Sequence, residues 1–289
     1  MNDTIYCGVI SIRLPLKTGT MLKGQYEIVT SLGSGGFGIT YLALDRAHDN
    51  YKVAIKELFP KNCVREGNHI VFSEDSEKSF DRISEFIDEA KLMTSVHDER
   101  IVRVLDYFKE NGTAYYVMEF IDGETLRKFI KKHGPMNSKM AVQLIKEVAL
   151  GLKAIHDKGI LHGDLKPSNI MLNAGKVKIM DFGAASFKNT IYVTTRGKII
   201  SWFYSAPERF GNSTIITPQS DIYSLGGILF FIVSGEDPIS APEMKKGSLL
   251  PIPPVKLKIR RIIRRAMALE PFQRYPTVDH FLKALKSPF

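Results

Sequence analysis

The sequence has little of what would place it in a specialised class. It holds two cysteines, Cys7 and Cys63, in no metal-like or redox-like spacing. That excludes a disulfide framework as the source of stability and points to a reducing compartment. No uncharged stretch is long enough to cross a bilayer. The longest, between Asp221 and Glu236, contains GGILFFIV and reads as a buried helix. The apolar stretch Ile5 to Ile12 is short, interrupted and not preceded by a basic run. No secretory leader or membrane span is therefore expected, and a cytoplasmic location is. Internal repeats and low-complexity tracts are also missing.

The bulk composition is that of an ordinary globular protein, 44% hydrophobic and 25% charged over 289 residues. This length suffices for one large domain or for two lobes sharing a cleft, and folding buries roughly 75% of the unfolded surface. A net charge of +9 favours polyanionic ligands without naming one. Lys256, Lys258, Arg260, Arg261, Arg264 and Arg265 crowd one segment, with Arg261 and Arg265 a helical four-step apart. No aromatic residues are interleaved for base stacking, so a solvated helix face is expected there and no nucleic-acid partner.

Residues 1–24 read as a lead-in, broken by Pro15 and Gly19. YEIVTSL, ITYLAL and YKVAIKEL follow as strands, the last two joined by a turn at Asp49-Asn50. Over 76–96, Phe80, Ile83, Phe86, Ile87, Ala90, Met93 and Val96 mark one face of a helix. IVRVLDYF and TAYYVMEF are two more strands, with Asn111-Gly112 as the hairpin turn between TAYYVMEF and its predecessor. From Thr125 the period becomes helical in LRKFIKKH, MAVQLIKEVALGLKAIHDKG, SDIYSLGGILFFIVSG, KLKIRRIIRRAMAL and TVDHFLKALK. The patterning predicts an α+β fold, a small β-rich lobe followed by a larger helical one.

Four constellations carry chemistry. LGSGGFGIT, 32–40, sets Gly33, Gly35 and Gly38 in a G-x-G-x-x-G array, whose backbone can approach a phosphate closely. A flexible hairpin turn and a dinucleotide loop are the alternatives. A dinucleotide loop needs a helix directly after the glycines, and a strand follows instead. VAIK places Lys56 in an apolar strand, either as a phosphate ligand or as a solvated edge lysine. At about 100° per residue, Glu89 falls beside the apolar face of the next helix, while Glu85 and Asp88 point away. Glu89 is thus the best carboxylate to meet Lys56, unless it pairs on the surface with Lys91 or Arg82. HGDLKPSN clusters Asp164, Lys166 and Asn169 on one loop, and Asp181 follows in DFG. A proton acceptor, a cation and metal ligands are what phosphoryl transfer needs, although either Asp also suits a turn or cap.

In their order, these motifs resemble the eukaryotic-type (Hanks-type) serine/threonine protein kinases, especially bacterial members with a GGFGITY glycine loop. The resemblance runs from about Gln25 to the C-terminus and adds APE at 206–208, SDIYSLG at 220–226 and a late Arg274. It implies a bilobal protein-kinase-like fold, with an N-lobe of about 25–120 and a C-lobe of about 121–289. ATP and Mg²⁺ are the implied cofactors, and protein Ser/Thr hydroxyls are the implied acceptors, autophosphorylation included. By position, Asp164 would be the base, Lys166 would contact the γ-phosphate, and Asn169 and Asp181 would bind the metal. Leu32, Gly33, Ser34, Gly35, Gly36, Phe37, Gly38 and Thr40 would wrap the nucleotide. Lys56 would hold the α- and β-phosphates, oriented by Glu89. Ala54 and Met171 would sandwich the adenine, Met118 would be the gatekeeper, and the backbone of Glu119 and Ile121 would meet the adenine edge. Glu208 would pair with Arg274, and Asp221 would hold the catalytic-loop backbone. A pseudokinase, a nucleotide-binding docking module without turnover, is the alternative that these motifs leave open.

The departures from the family pattern are Thr40 for Val, Ile200-Ser201 for Gly-Thr, and Gly163 for the Arg before the catalytic Asp. None removes a phosphate, metal or proton-transfer group. The missing Arg matters for control, because in relatives it pairs with a phosphorylated residue and orders the activation segment. Gly163 has neither the penalty of an uncompensated cation nor the switch. Basal activity independent of phosphorylation in 181–208 is therefore expected, with Ile199, Ile200, Trp202 and Phe203 pinning the segment by packing. Phosphatase-treated protein with Thr190, Thr194 and Thr195 all replaced by Ala should retain its first turnovers on an added substrate. A loss of about tenfold or more, with ATP affinity intact, would show that a phosphate switch persists.

Overall fold

The computed structural model describes residues 13–35, 38–60, 63–72, 76–181, 186–187, 201–210 and 217–286. The protein divides into two compact units, one of Met1–Asp88 with Val104–Phe120, the other of Glu89–Arg103 with Ile121–Phe289.

The first unit is built on β1 (Met21–Leu22), β2 (Tyr26–Ser34), β3 (Gly38–Asp45), β4 (Tyr51–Leu58), β5 (Cys63–Glu66), β6 (His69–Phe72), the first part of α1 (Ser76–Thr94), β7 (Val104–Glu110) and β8 (Thr113–Glu119). Six of the strands form an antiparallel sheet in the order β1-β2-β3-β4-β8-β7. The two expected hairpin turns are there. Asp49 and Asn50 have φ of 50° and 59°, and Asn111 and Gly112 have φ of 51° and 67°. Positive φ at both central residues gives a turn whose twist matches that of the flanking strands.

Alternation along β3, β4 and β8 separates two faces. Thr40 pairs with Lys56, and Lys56 with Tyr116; Ala54 pairs with Leu42 and Met118. Directly paired residues share a face, so Lys56, Ala54 and Met118 lie together on one side of the sheet. The other side carries the core: Ile28, Ile39, Tyr41, Ala43, Val53, Ile55, Tyr115 and Val117.

That core is closed by segments which patterning did not place there. Residues 1–24 read as a lead-in, yet Leu16 and Leu22 are buried among the core residues and Met21–Leu22 pairs with β2. Burying each leucine contributes on the order of 1.5–3 kcal/mol. The β5–β6 hairpin adds Cys63 and Ile70 to the same core. Its four-residue strands are too short and too charged to show a period.

The second unit contains β9 (Glu124–Thr125), α2 (Leu126–His133), α3 (Ser138–Asp157), β10 (Ile160–Leu161), β11 (Ile170–Asn173), β12 (Lys176–Ile179), β13 (Ser186–Phe187), α4 (Pro218–Ser234), α5 (Ala241–Lys245), α6 (Leu257–Ala266) and α7 (Val278–Lys286). Asn137 caps α3 through the amides of Lys139 and Met140, and Ala141, Ile145, Val148, Leu152 and Ile155 bury one stripe of it. That stripe packs on α4 and α7. Helix α4 is buried continuously from Ser220 to Val233 and serves as the core of the unit. No helix is long and apolar enough to cross a membrane among the described residues.

One expected strand is divided. The run 101–108 reads as continuous, but β7 begins only at Val104. Ile101 instead bridges Ile179, and the Val102 amide donates to the Ile179 carbonyl at 2.9 Å, both within the second unit.

Strands β11 and β12 are joined by Ala174-Gly175, with φ of 46° and 79°. An L side chain in the left-handed region costs about 1–2 kcal/mol, and asparagine tolerates it best. Ala174 is exposed. Ala174→Asn should therefore stabilise the protein by about 1 kcal/mol, raising the thermal midpoint by about 2–4 °C in calorimetry. An unchanged or lower midpoint would count against strain at this turn.

Candidate active site

The candidate residues of the first unit gather around the β2–β3 hairpin and the front of β4. Gly35 donates its amide to the Gly38 carbonyl at 2.9 Å and closes the glycine turn. A Cβ at Gly38 would lie 1.9 Å from the Glu57 carbonyl oxygen, so only glycine fits against β4. At Gly33 and Gly35 an added Cβ meets nothing within 4 Å among the described residues, which leaves that arm of the loop open. Leu32 and Ser34 are exposed on the same arm, while Gly36 and Phe37 lie outside the described residues.

Lys56 is half-buried, its ammonium 5.3 Å from the Tyr116 ring centroid and 5.9 Å from that of Phe86. Both are within cation–π range. Ala54 and Met118 are buried two residues along the same face, and Thr40 and Glu119 are half-buried. Directly behind Lys56, Glu57 is fully buried and accepts from Tyr41 at 2.7 Å, Tyr115 at 2.8 Å and Arg65 at 2.5 Å. Such a group persists in a core only when each of its oxygens is satisfied.

In the second unit, HGDLKPSN forms a closed network. Lys166 donates to Asp164 Oδ2 at 2.6 Å and to the Ser201 hydroxyl at 3.0 Å. The Ser201 hydroxyl in turn donates to Asp164 Oδ1. Asn169 sits on a 3₁₀ turn, Pro167–Asn169, and its Nδ2 donates to the Asp164 carbonyl at 2.9 Å. The Met180 amide donates to the Asn169 carbonyl at 3.0 Å, which brings the next residue, Asp181, close to this cluster. Asp181 is half-buried with φ of 66°, a left-handed conformation uncommon for a non-glycine residue. Glu89 is 5% exposed on α1. Met171 lies on β11 opposite Thr125 and Lys178, and Ile121 is half-buried ahead of β9.

Beneath the loop lies Asp221, in the first turn of α4 and 1% exposed. One of its oxygens accepts the Gly163 amide at 2.9 Å. The other accepts the His162 amide at 2.9 Å and His156 Nε2 at 2.8 Å. His156 carries no signal in the sequence, since a histidine on the buried stripe of a helix belongs to no motif. Burial pushes the His162 imidazole below its ordinary value, so it is neutral, and its Nδ1 accepts the Asp164 amide at 3.3 Å.

Glu208 and Arg274 form a two-pronged ion pair, both contacts at 2.8 Å. The other guanidinium donors reach the carbonyls of Ala268, Leu269 and Gln219. The activation-segment residues Thr190, Thr194, Thr195, Ile199 and Ile200 lie outside the described residues. Trp202 is described and meets Phe210 edge-on, with centroids 5.6 Å apart, but Trp202 and Phe203 are both exposed, so neither pins the segment by burial as expected.

The family model of the protein kinase domain matches residues 26–275. The protein belongs to the protein kinase family. It is 30% identical over 284 residues to the serine/threonine-protein kinase PrkC of Bacillus subtilis, covering 94% of this sequence and 41% of that protein. It is 30% identical over 285 residues to the serine/threonine-protein kinase PknA of Mycobacterium tuberculosis, covering 93% and 62%. The sequence thus spans less than two thirds of either relative. Among solved structures, the PpkA-294 apo form superposes with a TM-score of 0.80 at 25% identity, covering 94% of this protein and 99% of that one. The architecture is accordingly the bilobal protein-kinase fold, and the family implies ATP and a divalent metal.

The residues fit a hard divalent cation. Asn169 commits its Nδ2 to the Asp164 carbonyl, which leaves its amide oxygen as a hard donor, and Asp181 adds a carboxylate next to Met180, whose amide bonds the Asn169 carbonyl. Among the described residues no group of three or more His, Cys, Asp or Glu side chains forms a metal cage. Two oxygen donors with phosphate and water completing the shell is how Mg²⁺ is usually held.

Burial alone would raise the Asp221 carboxyl, but the hydrogen bond with His156 and the amides of His162 and Gly163 outweigh it and hold the carboxyl below its ordinary value. A carboxyl depressed in the folded state contributes stability above its unfolded pKa and loses that contribution as pH falls through the folded value. Asp221→Asn should lower stability to urea at neutral pH by about 3 kcal/mol, and the gap to wild type should hold down to about pH 4 and narrow below it. A gap constant from neutral to acid pH would remove the assigned role of the charge.

Proposed function

We propose that this protein transfers the γ-phosphoryl group of ATP to serine and threonine hydroxyls of proteins, its own included, with Mg²⁺ as the metal. The observation that carries the reading is the cluster of Asp164, Lys166 and Ser201. A hydroxyl already donates to Asp164 Oδ1, and Lys166 lies within hydrogen-bond distance of that same hydroxyl. An acceptor hydroxyl presented in the same way would pass its proton to Asp164 while Lys166 met the oxygens of the transferred group.

Mg²⁺, when bound, would neutralise charge on the nucleotide phosphates. Asn169 and Asp181 are the side chains assigned to hold it. In the first unit, Lys56 is assigned to the α- and β-phosphates and the open arm of the glycine turn to the phosphate backbone. Ala54, Met118, Glu119, Ile121 and Met171 are assigned to the adenine, as the family resemblance implies, with Glu89 as the carboxylate that orients Lys56. A cytoplasmic setting suits both the need for ATP and the sparse cysteines.

The test is transfer of labelled γ-phosphate to the protein itself and to a generic basic substrate. Asp164→Asn preserves shape but replaces one acceptor oxygen by an NH2 donor and removes the charge, so it loses part of the Lys166–Ser201 network and cannot accept the proton. It should reduce transfer by about 10²–10⁴-fold while thermal stability stays near that of wild type. Equal incorporation by the two proteins would sink the enzyme reading.

A further inference from the structure

The lead-in of the first unit reaches the glycine turn. Residues 14–19 are tied down along their length. The Leu14 carbonyl accepts from Arg65 at 2.8 Å, and the Leu16 amide donates to the Tyr41 hydroxyl at 3.1 Å. The Thr18 hydroxyl donates to the Val29 carbonyl at 2.9 Å, and the Gly19 amide to the Ile28 carbonyl at 2.8 Å. Leu16 itself is buried in the core. The segment is therefore a strap of fixed course, and its course delivers Arg13 to the end of the β2–β3 hairpin.

There the guanidinium makes two bonds. Nη1 donates to the Phe59 carbonyl at 2.7 Å, just past the end of β4, and Nη2 donates to the Gly35 carbonyl at 2.6 Å. A rigid planar fork is suited to joining two acceptors in fixed relation. Its place on the loop is informative. The β3 arm needs no tie, because Gly38 is pressed against the backbone of β4. The β2 arm pairs with β3 through its backbone, Gly33 opposite Thr40 and Ser34 opposite Ile39, but has open space at Gly33 and Gly35, and glycine loses the most entropy when a ligand orders it. Among the described residues, Arg13 is the side chain that holds the tip of this arm.

We propose that Arg13 is a positioning residue for the nucleotide. By bonding the Gly35 carbonyl it holds the end of the β2 arm in place, so that the triphosphate meets an arm already fixed at Gly35. The strap 14–19 is the element that places it. This rests on the reading of the glycine turn as the phosphate loop. It adds that a segment outside the motif sets the affinity of that loop for phosphate.

The experiment uses the 289-residue protein with Arg13→Ala and Arg13→Lys, comparing KM for ATP, kcat, direct ATP and adenosine binding, and thermal midpoint. Arg13→Ala should raise KM for ATP and weaken ATP binding by about tenfold. Its kcat, adenosine binding and midpoint should stay near wild type, because only the phosphates contact the tip. Arg13→Lys, able to reach one carbonyl at a time, should recover part of the loss. Unchanged ATP binding in Arg13→Ala, with wild type active, overturns the proposal and leaves the kinase reading standing. Equal weakening of ATP and adenosine binding, or a fall in midpoint that accompanies the loss, makes Arg13 structural and also overturns it. A wild type that neither binds ATP nor transfers phosphate overturns the kinase reading, and this proposal with it.

Discussion

The chemistry of the second unit hangs on one buried carboxylate. Asp221 receives two consecutive amides of the catalytic loop and a histidine from α3. Its own position is set by α4, which is buried along nearly its whole length and cannot shift without opening the core. Asp221 also sits in the first turn of that helix, where the dipole favours negative charge. The packing of an apolar helix is thereby converted into the placement of His162 and Gly163, and through them of Asp164. A loop built on its own turns would have no such reference point.

The first unit solves a related problem with a sheet whose two faces have different work. Lys56 and Glu57 are neighbours in sequence and point to opposite sides. Glu57 is satisfied by two tyrosines and an arginine drawn from β3, β8 and β5. Each of these partners lies on a different strand, so the ionic cluster locks the strands and the inserted hairpin in register behind Lys56. A half-satisfied version would cost more than an apolar core. The cluster therefore specifies this arrangement more than it adds to stability.

Among the described residues, the contacts that hold the catalytic loop are made by unmodified side chains and backbone groups. Gly163 has φ of 72°, a conformation that strains any residue with a side chain and costs glycine nothing. The family's arginine at this place would add a cation that awaits a phosphate. Here the last part of the activation segment is held by Ser201 on Asp164 and Lys166 and by Glu208 on Arg274. Neither contact depends on a modification.

Much of this was legible in the sequence. Period-two and period-3.6 patterns marked most strands and helices, and Asn-Gly and Asp-Asn marked two turns, because these signals depend only on residues close in sequence. The order of the motifs carried the family. Other features were not legible, for a physical reason that they share. The strap at 14–19 looks like a loose lead-in, the run 101–108 looks like a single strand, and Arg13, Arg65 and His156 look like ordinary polar residues. What decides each is a partner that the local sequence does not announce: Phe59 for Arg13, Glu57 for Arg65, Asp221 for His156, Ile179 for Val102. Local periodicity determines which side of an element faces inward. Only tertiary packing determines what it finds there, since long-range hydrogen bonds and burial are satisfied by the folded arrangement as a whole.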